Sequence, residues 1–534
     1  MTPSTADTTH TPQTGANDPD TADRNTTEND VQATANAAAS GAPGTADVII
    51  IGSGPGGYAT ALRAAELGRS VVLVERGDAL GGTCLNRGCI PTKALITTAR
   101  AVDAVRQAPN VGIDATITGI DFGTMVTYKN RIVRTMTEGL RGLLAHRGVV
   151  VLQGEATVTD PARRMVTIQA NGGRDQVLCF RKAGVSESCG TTVNVQADDI
   201  VLATGSRPTP LPCHDFAGAL IDSTQALSLV HVPATATIIG SGSIAVEFAT
   251  IWSAGGCEVT MLIRHGRALS HWDRRSGTTL TRELKRRGIH IIPDTQITGV
   301  DVGVNLGATV HYTDAAGQER TIFSELALTA IGRVPNTDDA WCRALGVDMD
   351  DDGHIVTDAY GRTKASGIWA VGDITRGPGL ASRAFAQGIT IAERMAGHDC
   401  TPVDDDAVAQ VVFSSPEAAT VGCTMEQARD REDLDHVRES MYPMLSNARM
   451  LMSGSAGSMS IVSGERREQP GVEVVLGVHI VAPNASDMIG EAEQIIANRI
   501  PLDRASSLTH PHPTFSEAFG EALLLADGRP LHTR

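Results

Sequence analysis

Two stretches of the chain share one pattern, in which a short apolar run leads into a glycine turn, a helical repeat and a second apolar run. The first is ADVIIIGSGPGGYATALRAAELGRSVVLVE, residues 46–75, with a strand predicted from Val48 to Ile51, a helix to about Gly68 and a strand ending at Glu75. The second is TATIIGSGSIAVEFATIWSAGGCEVTMLIR, residues 235–264. Strands that alternate with helices in this way predict βαβ units around a parallel sheet. The chain is therefore predicted to contain two dinucleotide-binding units.

Between these units, residues 165–200 have the pattern of short strands around a polar insertion, which predicts a surface loop or an extended hairpin. Cys179 and Cys189 lie in this insertion and could pair, although two free surface thiols are the favoured interpretation. Three further apolar strands end in glycine turns, in ATGSRP (203–208), AIGRVPN (330–336) and IWAVGDI (368–374). The alternating run VVFSSPEAATVG, which begins at residue 411, predicts the start of an α+β domain.

Composition and charge narrow the class of protein. A chain of 534 residues exceeds what one hydrophobic core organises, which predicts about two to four domains. A formal net charge of -16 argues against nucleic acid or an anionic membrane as a partner, because both are polyanions. The sequence has no apolar run of about 18 residues and no export signal, which favours the cytosol. The first 44 residues are poor in large apolar side chains and predict a disordered tail.

The first glycine turn, with Gly52, Gly54 and Gly57, follows a strand, precedes a helix and fits the pattern G-x-G-x-x-G. Glycines at these positions permit a tight turn, the approach of the backbone to a pyrophosphate, and close packing of helix on strand. Glu75, at the end of the next strand, can accept hydrogen bonds from the free hydroxyls of an adenosine ribose. These residues predict a dinucleotide site.

The second turn has Gly240, Gly242 and Ala245, but its next strand ends in Arg264 and His265 instead of a carboxylate. A guanidinium suits a 2′-phosphate better than a ribose diol. A charge-assisted pair worth roughly 1.5 to 3 kcal/mol would favour the phosphorylated cofactor by about tenfold to a hundredfold. NADP(H) is thus preferred over NAD(H), unless Arg264 is only a solvated loop residue.

The segment GGTCLNRGCIPTKAL, residues 81–95, places Cys84 and Cys89 five positions apart. A zinc site needs about four ligands, and no second Cys or His pair of suitable spacing lies nearby, so no metal is predicted. A purely structural disulfide closing so short a loop would contribute only about 2 kcal/mol to the free energy of unfolding. In a regular helix the two residues would be about 7.5 Å apart, too far for a disulfide, so the link requires a distorted turn, which Gly88 permits. A strained, reducible disulfide favours a redox role over metal binding or stapling.

This cysteine segment resembles the active site of the class I pyridine nucleotide-disulfide oxidoreductases, a flavin-dependent family that includes dihydrolipoyl dehydrogenase, glutathione reductase, mycothione reductase and mercuric reductase. The resemblance extends from residue 46 to 525 and implies an α/β fold with two Rossmann-like dinucleotide-binding domains and an α+β C-terminal dimerisation domain. The implied boundaries are the tail at 1–44, an FAD-binding domain at 45–205, an NAD(P)-binding domain at 206–334, a central segment completing the FAD site at 335–405, and the dimerisation domain at 406–534.

The resemblance also implies a role for each matched residue. Cys84 would attack the substrate disulfide, and Cys89 would face the flavin as a charge-transfer thiolate. Lys93 matches the lysine beside the flavin N5, and Glu247 matches its ion-pair partner. The other positions matched to FAD are Gly52, Gly54, Gly57, Glu75, Gly154, Ala156, Thr204, Gly205 and Asp373, and those matched to NAD(P) are Gly240, Gly242, Ala245, Glu247, Arg264, His265 and Gly332.

The segment HPHPTFSE resembles the His-Pro signature of the family, in which His512 would be the acid/base and Glu517 would orient it. Histidine suits the task because its ordinary pKa lies near the pH at which thiols exchange protons. In the family this histidine acts across a dimer interface, which implies a homodimer with shared sites. Thr514 and Glu517 also fit a capping box, so Glu517 could be purely structural, and His510 is interpreted as a packing or turn residue.

The sequence points to two substrates. The cysteine segment, the HPHPT motif and the first glycine turn resemble dihydrolipoyl dehydrogenase, whereas the second glycine turn and the residues after its strand resemble the NADPH unit of glutathione reductase. Pro55 and Leu62 stand where glutathione reductase has a serine and an arginine, and Leu62 cannot pair with a glutathione carboxylate. These substrate contacts favour dihydrolipoamide or lipoamide. The alternative is an NADPH-dependent reductase of another small disulfide, similar to glutathione or mycothione reductase.

Overall fold

The computed structural model of the protein describes residues 44–182, 185–303 and 307–533. The predicted N-terminal tail therefore lies outside the described residues, apart from Gly44. The helices are α1 (Pro55–Glu66), α2 (Gly82–Arg87), α3 (Cys89–Gln107), α4 (Phe122–His146), α5 (Ser223–Ala226), α6 (Ser243–Ala254), α7 (Arg274–Arg286), α8 (Ala340–Arg343), α9 (Ala381–Met395), α10 (Met425–Asp430), α11 (Ala448–Ser453), α12 (Ala485–Ala497), α13 (Leu502–Ala505) and α14 (Glu517–Ala526).

The strands are distributed over several sheets. They are β1 (Thr45–Ile51), β2 (Val71–Glu75), β3 (Val150–Gln153), β4 (Glu155–Asp160), β5 (Met165–Gln169), β6 (Leu178–Lys182), β7 (Val185–Ser188), β8 (Thr192–Leu202), β9 (Ser206–Pro208), β10 (Leu220–Ile221), β11 (Thr235–Ile239), β12 (Glu258–Leu262), β13 (His290–Ile292), β14 (Gln296–Val302), β15 (Ala308–Thr313), β16 (Glu319–Ser324), β17 (Leu326–Thr329), β18 (Arg333–Pro335), β19 (Ile368–Ala370), β20 (Gln410–Val412), β21 (Glu417–Gly422), β22 (Leu434–Tyr442), β23 (Ser458–Arg466) and β24 (Gln469–Ala482).

The first predicted unit forms the centre of the largest sheet. β1 lies between β2 and β8 and pairs in parallel with both, and β3 and β19 continue the parallel part. Val48 and Ile50 pack into one apolar cluster and Ile49 and Ile51 into another, so both faces of β1 are covered and the strand is uniformly apolar. β1 begins at Thr45, earlier than predicted, because its first residues pair with the distant strand β8.

Antiparallel strands extend this sheet at both edges. β4 and β5 join it beside β8, whereas β6 and β7 join it beside β3. β6 and β7 pair with each other, which confirms the extended hairpin predicted within residues 165–200. Cys179 on β6 is only 1% exposed, so the expectation of a surface thiol is wrong for this residue.

The second predicted unit is a parallel sheet in the order β10-β17-β11-β12-β13. α6 follows β11 through the second glycine turn and is buried along most of its length, including Trp252 at 0% exposure. An antiparallel sheet of β14, β15 and β16 lies beside it. The two βαβ units predicted from the sequence are thus both present.

The C-terminal part is an antiparallel sheet in the order β20-β21-β24-β23-β22. α12 and α14 pack their apolar residues on it in one core cluster. A second cluster joins this sheet to the remainder of the molecule, because Val412 and Val481 pack together with residues of α3, α4 and α6. The structure therefore holds α3, which begins at Cys89, against both the second unit and the C-terminal sheet.

The third glycine of the first turn has a steric requirement that yields a test. A Cβ on Gly57 would lie 1.9 Å from the carbonyl oxygen of Gly52, a distance that real side chains do not adopt. We expect Gly57→Ala to lower the free energy of unfolding by about 1–3 kcal/mol and to reduce bound FAD. Thermal unfolding and flavin content of the purified protein measure both effects.

The matched control is Gly139→Ala on α4, where an added Cβ meets nothing within 4 Å. This change should leave stability unchanged or raise it by up to about 1 kcal/mol. Equal stability of the two variants would contradict the packing requirement at Gly57.

Candidate active site

A cavity of about 760 Å³ lies where the two βαβ units meet, a size typical of ligand sites. We call it the central cavity. The predicted site residues on its wall are Gly52, Gly54, Glu75, Cys84, Cys89, Lys93, Gly154, Ala156, Thr204, Gly205, Glu247 and Asp373. The predicted residues that lie off its wall are Gly57, Gly240, Gly242, Ala245, Arg264, His265, Gly332, His512 and Glu517.

The two cysteines lie at a break between consecutive helices. α2 ends at Arg87, and α3 begins at Cys89. The intervening Gly88 adopts φ -146° and ψ -111°, outside the helical region, and a Cβ there would lie 2.9 Å from the carbonyl oxygen of Thr83. The distorted turn predicted between the cysteines is therefore present. Cys89 is the first residue of a 19-residue helix, a position that favours a thiolate.

Both cysteines are thiols in this structure and share a hydrogen bond that separates their acidities. The hydrogen bond from Cys84 and, against the opposing effect of burial, the charge of Lys93 lower the pKa of Cys89 to about 7. The pKa of Cys84 is raised far above its usual range, first by this hydrogen bond and then by burial. The proton thus stays on Cys84 and the negative charge on Cys89.

Lys93 lies one helical turn beyond Cys89 and bridges to the second unit. Its Nζ lies 3.0 Å from both carboxylate oxygens of Glu247, on the buried helix α6. The backbone N–H of Phe413 also donates to Glu247, at 3.0 Å, and the Phe413 ring lies 4.7 Å from Lys93 Nζ. The sequence does not predict Phe413 as a site residue, because a backbone donor and an aromatic contact leave no motif. The C-terminal sheet, through Phe413, helps to fix this ion pair.

Glu75 is held at the cavity wall by backbone hydrogen bonds. Its carboxylate accepts from the N–H of Gly77 at 2.7 Å and from the N–H of Ser53 at 3.1 Å, and the Ser53 hydroxyl donates to it as well. Glu75 is only 8% exposed. A buried carboxylate with these partners is fixed in position and can accept further hydrogen bonds from a ligand.

Two of the glycine turns named in the sequence, ATGSRP (203–208) and AIGRVPN (330–336), pair with each other, because β9 and β18 form an antiparallel ribbon. Arg333 donates to the Ser206 hydroxyl at 2.7 Å and to the Ser206 carbonyl at 2.6 Å, and Ser206 donates to Asp373 at 2.5 Å. Burial lowers the pKa of Arg333. Ser206 and Arg333 line the central cavity and were not predicted. The position of Arg333 directly after Gly332 in the quoted turn was the signal available.

Arg264 and His265 are exposed at the end of β12, and the His265 ring lies 6.3 Å from that of His271. Gly242 lies at the N-terminus of α6, and a Cβ there would meet nothing within 4 Å. Gly332 accepts a hydrogen bond from the N–H of Thr209 at 3.1 Å. Gly242, Arg264 and Gly332 come after β11, β12 and β17, which are adjacent parallel strands. They therefore lie at the carboxyl ends of the strands, where an α/β sheet binds its ligands.

The two histidines of HPHP have different surroundings. His510 has a side chain only 9% exposed and bonds to Glu491 at 2.9 Å, a contact that raises its pKa. His512 is 72% exposed, and its Nδ1 lies 2.5 Å from Oε1 of Glu517. The Thr514 hydroxyl accepts a hydrogen bond from the N–H of Glu517 at 3.1 Å, which is one of the two bonds of the predicted capping box. The Glu517 carboxylate bonds to His512 instead of making the other. Within the described residues of one chain, His512 does not reach the central cavity.

Known proteins match this arrangement over nearly the whole chain. Residues 46–388 match the family described as pyridine nucleotide-disulphide oxidoreductase, and residues 408–523 match the dimerisation domain of that family. The chain belongs to this family. It is an FAD-dependent disulfide oxidoreductase with a pyridine nucleotide as its second cofactor.

Curated relatives of this oxidoreductase are dihydrolipoyl dehydrogenases. That of Geobacillus stearothermophilus is 36% identical over 487 residues, which is 91% of this chain and 97% of the relative. That of Bacillus subtilis is 34% identical over 488 residues, with the same coverage. Among solved structures, LpdA of Mycobacterium tuberculosis aligns with a TM-score of 0.78 and 26% identity, covering 90% of this chain and 99% of that one.

The residues of the oxidoreductase fit FAD. α1 begins at the cavity, and a Cβ on Gly54 would meet no atom within 4 Å, which leaves room for a diphosphate at the helix N-terminus. Glu75 offers a fixed carboxylate on the same wall, and Asp373 offers a second one that also lines the cavity. The donor set thus matches the anionic and hydroxyl-bearing parts of a dinucleotide.

None of the described helices is long and apolar enough to span a membrane.

The charge of Lys93 yields a pH prediction for the oxidoreductase. In the reduced enzyme, alkylation of Cys89 by iodoacetamide should follow a titration with a midpoint near pH 7, because the thiolate is the reactive species. Lys93→Met removes a cation that favours this thiolate, so the midpoint should rise by about one pH unit. Peptide mapping by mass spectrometry over a pH series measures the midpoint.

The control is Lys364→Met, which removes a 69% exposed lysine bound to Asp348 on the surface. Its alkylation midpoint should equal that of the unmodified enzyme. A midpoint in Lys93→Met that does not move would show that Lys93 does not set the acidity of Cys89.

Proposed function

We propose that the enzyme is a dihydrolipoyl dehydrogenase that oxidises the dithiol of a dihydrolipoyl group to its disulfide. The observation that carries the proposal is the Cys84 and Cys89 pair at a helix break on the wall of the central cavity, with the charge held on Cys89. The family relatives named as dihydrolipoyl dehydrogenases support the choice of substrate.

In the proposed reaction, a substrate thiolate attacks Sγ of Cys84 in the Cys84–Cys89 disulfide, and Cys89 leaves as a thiolate. The second substrate thiol then attacks the substrate sulfur bonded to Cys84, which forms the substrate disulfide and releases Cys84. A leaving thiol with a pKa of about 7 departs readily, as Cys89 does here. FAD would supply the two-electron acceptor for the reduced cysteine pair and the link to the pyridine nucleotide.

Lys93 and Glu247 are proposed to act together on the cofactor side of the cysteines. Glu247 orients Lys93 through an ion pair at 3.0 Å, and Lys93 in turn stabilises the Cys89 thiolate. Glu75 is proposed to accept ribose hydroxyls, and Asp373 to accept hydroxyls of the ribityl chain. The glycine turn at 52–57, Gly154, Ala156, Thr204 and Gly205 are proposed to form the remaining backbone contacts of FAD.

The proposed domains are FAD-binding at 45–205, NAD(P)-binding at 206–334, a central segment at 335–405 and dimerisation at 406–534. The net charge of -16 supports an enzyme that binds neither nucleic acid nor an anionic membrane, and the proposed compartment is the cytosol.

His512 is proposed to serve the partner subunit of a homodimer. It is exposed beside a group of exposed apolar side chains, Leu445, Leu451 and Met452, each more than 60% exposed. Asn447, at the N-terminus of α11, donates to the carbonyl of Thr514 at 3.0 Å and so joins these residues to the His512 segment. An apolar surface of this kind is typical of a subunit contact, and the match to the dimerisation domain supports a homodimer. Glu517 would orient His512, which would move the proton of the substrate thiol.

The pyridine nucleotide is proposed to bind at Gly240, Gly242, Ala245 and Gly332, with Arg264 and His265 at its adenosine end. An exposed guanidinium at this point favours a 2′-phosphate, and hence NADP(H) over NAD(H). This local feature supports the second candidate function, NADPH-dependent reduction of a small disulfide other than lipoamide.

Steady-state kinetics decide between the two candidates. The holoenzyme is assayed with lipoamide, glutathione disulfide and mycothiol disulfide, each with NADH and NADPH, and with dihydrolipoamide and either oxidised nucleotide. We expect the highest kcat/KM with the lipoyl substrates. Turnover of lipoamide near zero under every condition, with another disulfide reduced, would replace the first candidate by the second.

A further inference from the structure

A second pair of thiols lies outside the central cavity, on the hairpin at the edge of the largest sheet. Cys179 lies on β6, directly opposite Leu152 of β3, and is 1% exposed. Cys189 follows β7 directly and is partly exposed. Neither cysteine lines the central cavity, and neither has a role in the proposed reaction.

The backbone of the hairpin brings the two side chains to the same face. The N–H of Cys189 donates to the carbonyl of Val177 at 2.9 Å, and the N–H of Val177 donates to Gly190 at 2.8 Å. Cys189 therefore lies opposite Val177, two residues from Cys179 on the neighbouring strand. Residues two apart on a strand share a face, so Cys179 and Cys189 are diagonal neighbours across the ladder. Both pack into one apolar cluster, with Cys179 in its core.

The polar surroundings of the two sulfurs differ. Arg181 Nε donates to Sγ of Cys179 at 3.3 Å. Burial, then the negative charge of Cys179 and a hydrogen bond with it, raise the pKa of Cys189 to about 11, with Glu187 acting in the same direction and Arg181 against it. The thiols are thus in mutual contact, with the accessible one protonated at neutral pH.

We propose that Cys179 and Cys189 form a second dithiol–disulfide couple, independent of Cys84 and Cys89, that exchanges with low-molecular-weight disulfides. The thiolate of Cys189, the more accessible of the two, attacks one sulfur of the small disulfide, breaks its S–S bond and releases one small thiol. Cys179 then attacks the Cys189 sulfur in the mixed disulfide and releases the second. The two protein thiols lose two electrons and two protons, which leave in the two small thiols. Excess thiol reverses the exchange.

The consequence of oxidation would fall on the wall of the central cavity. Cys179 pairs with Leu152, and the same strand β3 runs on through Gln153 to Gly154, which lines the cavity. A covalent link within the hairpin would tie β6, the strand that supports β3, to its outer neighbour. The oxidation state of the couple would therefore follow the ratio of small disulfide to small thiol. It would change at the edge of the cofactor-binding sheet, independently of turnover.

The test uses the FAD-loaded enzyme, glutathione disulfide as the probe, alkylation of the remaining thiols and tryptic mapping. Cleavage after Arg174, Arg181 and Lys182 separates the two cysteines, so their disulfide appears as two peptides joined by a bond that reductant breaks. We expect the joined peptides to form, and to form equally in a Cys84→Ser, Cys89→Ser double variant. Their rate of formation should rise about tenfold for each pH unit between pH 7 and 10, as the thiolate of Cys189 is populated.

Cys189→Ser should abolish the joined peptides while its turnover remains that of the unmodified enzyme. The control Cys213→Ser, at an exposed cysteine, should leave the joined peptides unchanged. Only a mixed disulfide of glutathione on Cys189, with Cys179 still alkylated at every ratio, would overturn the couple. Loss of the joined peptides in the Cys84→Ser, Cys89→Ser variant would overturn its independence. Neither result bears on the proposed substrate, which the kinetics test separately.

Discussion

Replacing Cys89 or Cys84 by serine should lower kcat with dihydrolipoamide by at least about a thousandfold, because either change removes one sulfur of the bond that is exchanged. The geometry gives the two positions different tasks: Cys84 keeps the proton, and Cys89 holds the charge beside Lys93. Serine is nearly isosteric with cysteine, so FAD content and thermal stability should remain close to those of the unmodified enzyme. Stopped-flow and steady-state assays of purified holoenzyme measure the loss.

Cys257→Ser is the matched control, since Cys257 is a buried cysteine away from the cavity wall, whose pKa is raised to about 12 by burial. It should retain turnover within about twofold, whatever small loss of stability it suffers. Substantial activity in Cys89→Ser with FAD bound would show that electrons reach the substrate without this pair.

Mixed dimers should recover activity from two inactive variants. Within one chain, His512 and Glu517 lie off the wall that holds Cys84 and Cys89. If His512 serves the partner, a dimer of His512→Gln and Cys89→Ser subunits has one complete site and one doubly defective site. Random pairing of equal amounts makes half of the dimers mixed, so the unfractionated mixture should recover roughly a quarter of the unmodified activity and the isolated mixed dimer roughly half. Co-expression with two affinity tags, followed by an assay of the mixed dimer, measures it.

The control mixture is Cys84→Ser with Cys89→Ser, because both changes fall in the same half-site and no pairing restores a complete one. It should remain as inactive as each variant alone. An inactive mixed dimer of His512→Gln and Cys89→Ser, shown to be folded and loaded with FAD, would contradict a site shared between subunits.

Local patterns in the sequence were sufficient for the elements that carry the cofactor. The turn at Gly52, the helix α1 and the strand ending at Glu75 occur where the alternation of apolar runs and glycines predicts them, because each depends on neighbours within about ten residues. The break at Gly88 was predicted for the same reason, since a bond between Cys84 and Cys89 is incompatible with a regular helix.

Contacts between distant segments could not be read from local patterns. Ser206 is bound by Arg333, 127 residues further on, and Phe413 lies 166 residues from its acceptor Glu247. Cys179 was expected at the surface because its segment is polar, yet its side chain packs within a buried apolar cluster. In each case the partner is brought in by strand pairing or packing of another sheet, and any of many residues could have filled that place.

The chain by itself determined which residues carry the chemistry, since glycine turns, paired cysteines and a carboxylate at a strand end act through their own short-range geometry. Tertiary structure decided how these residues are held: it brought the buried Glu247 of the second unit to Lys93, and it left His512 exposed beside an apolar surface. The physical reason is that ion pairing, burial and exposure depend on the distance between groups far apart in the chain, and only folding fixes those distances.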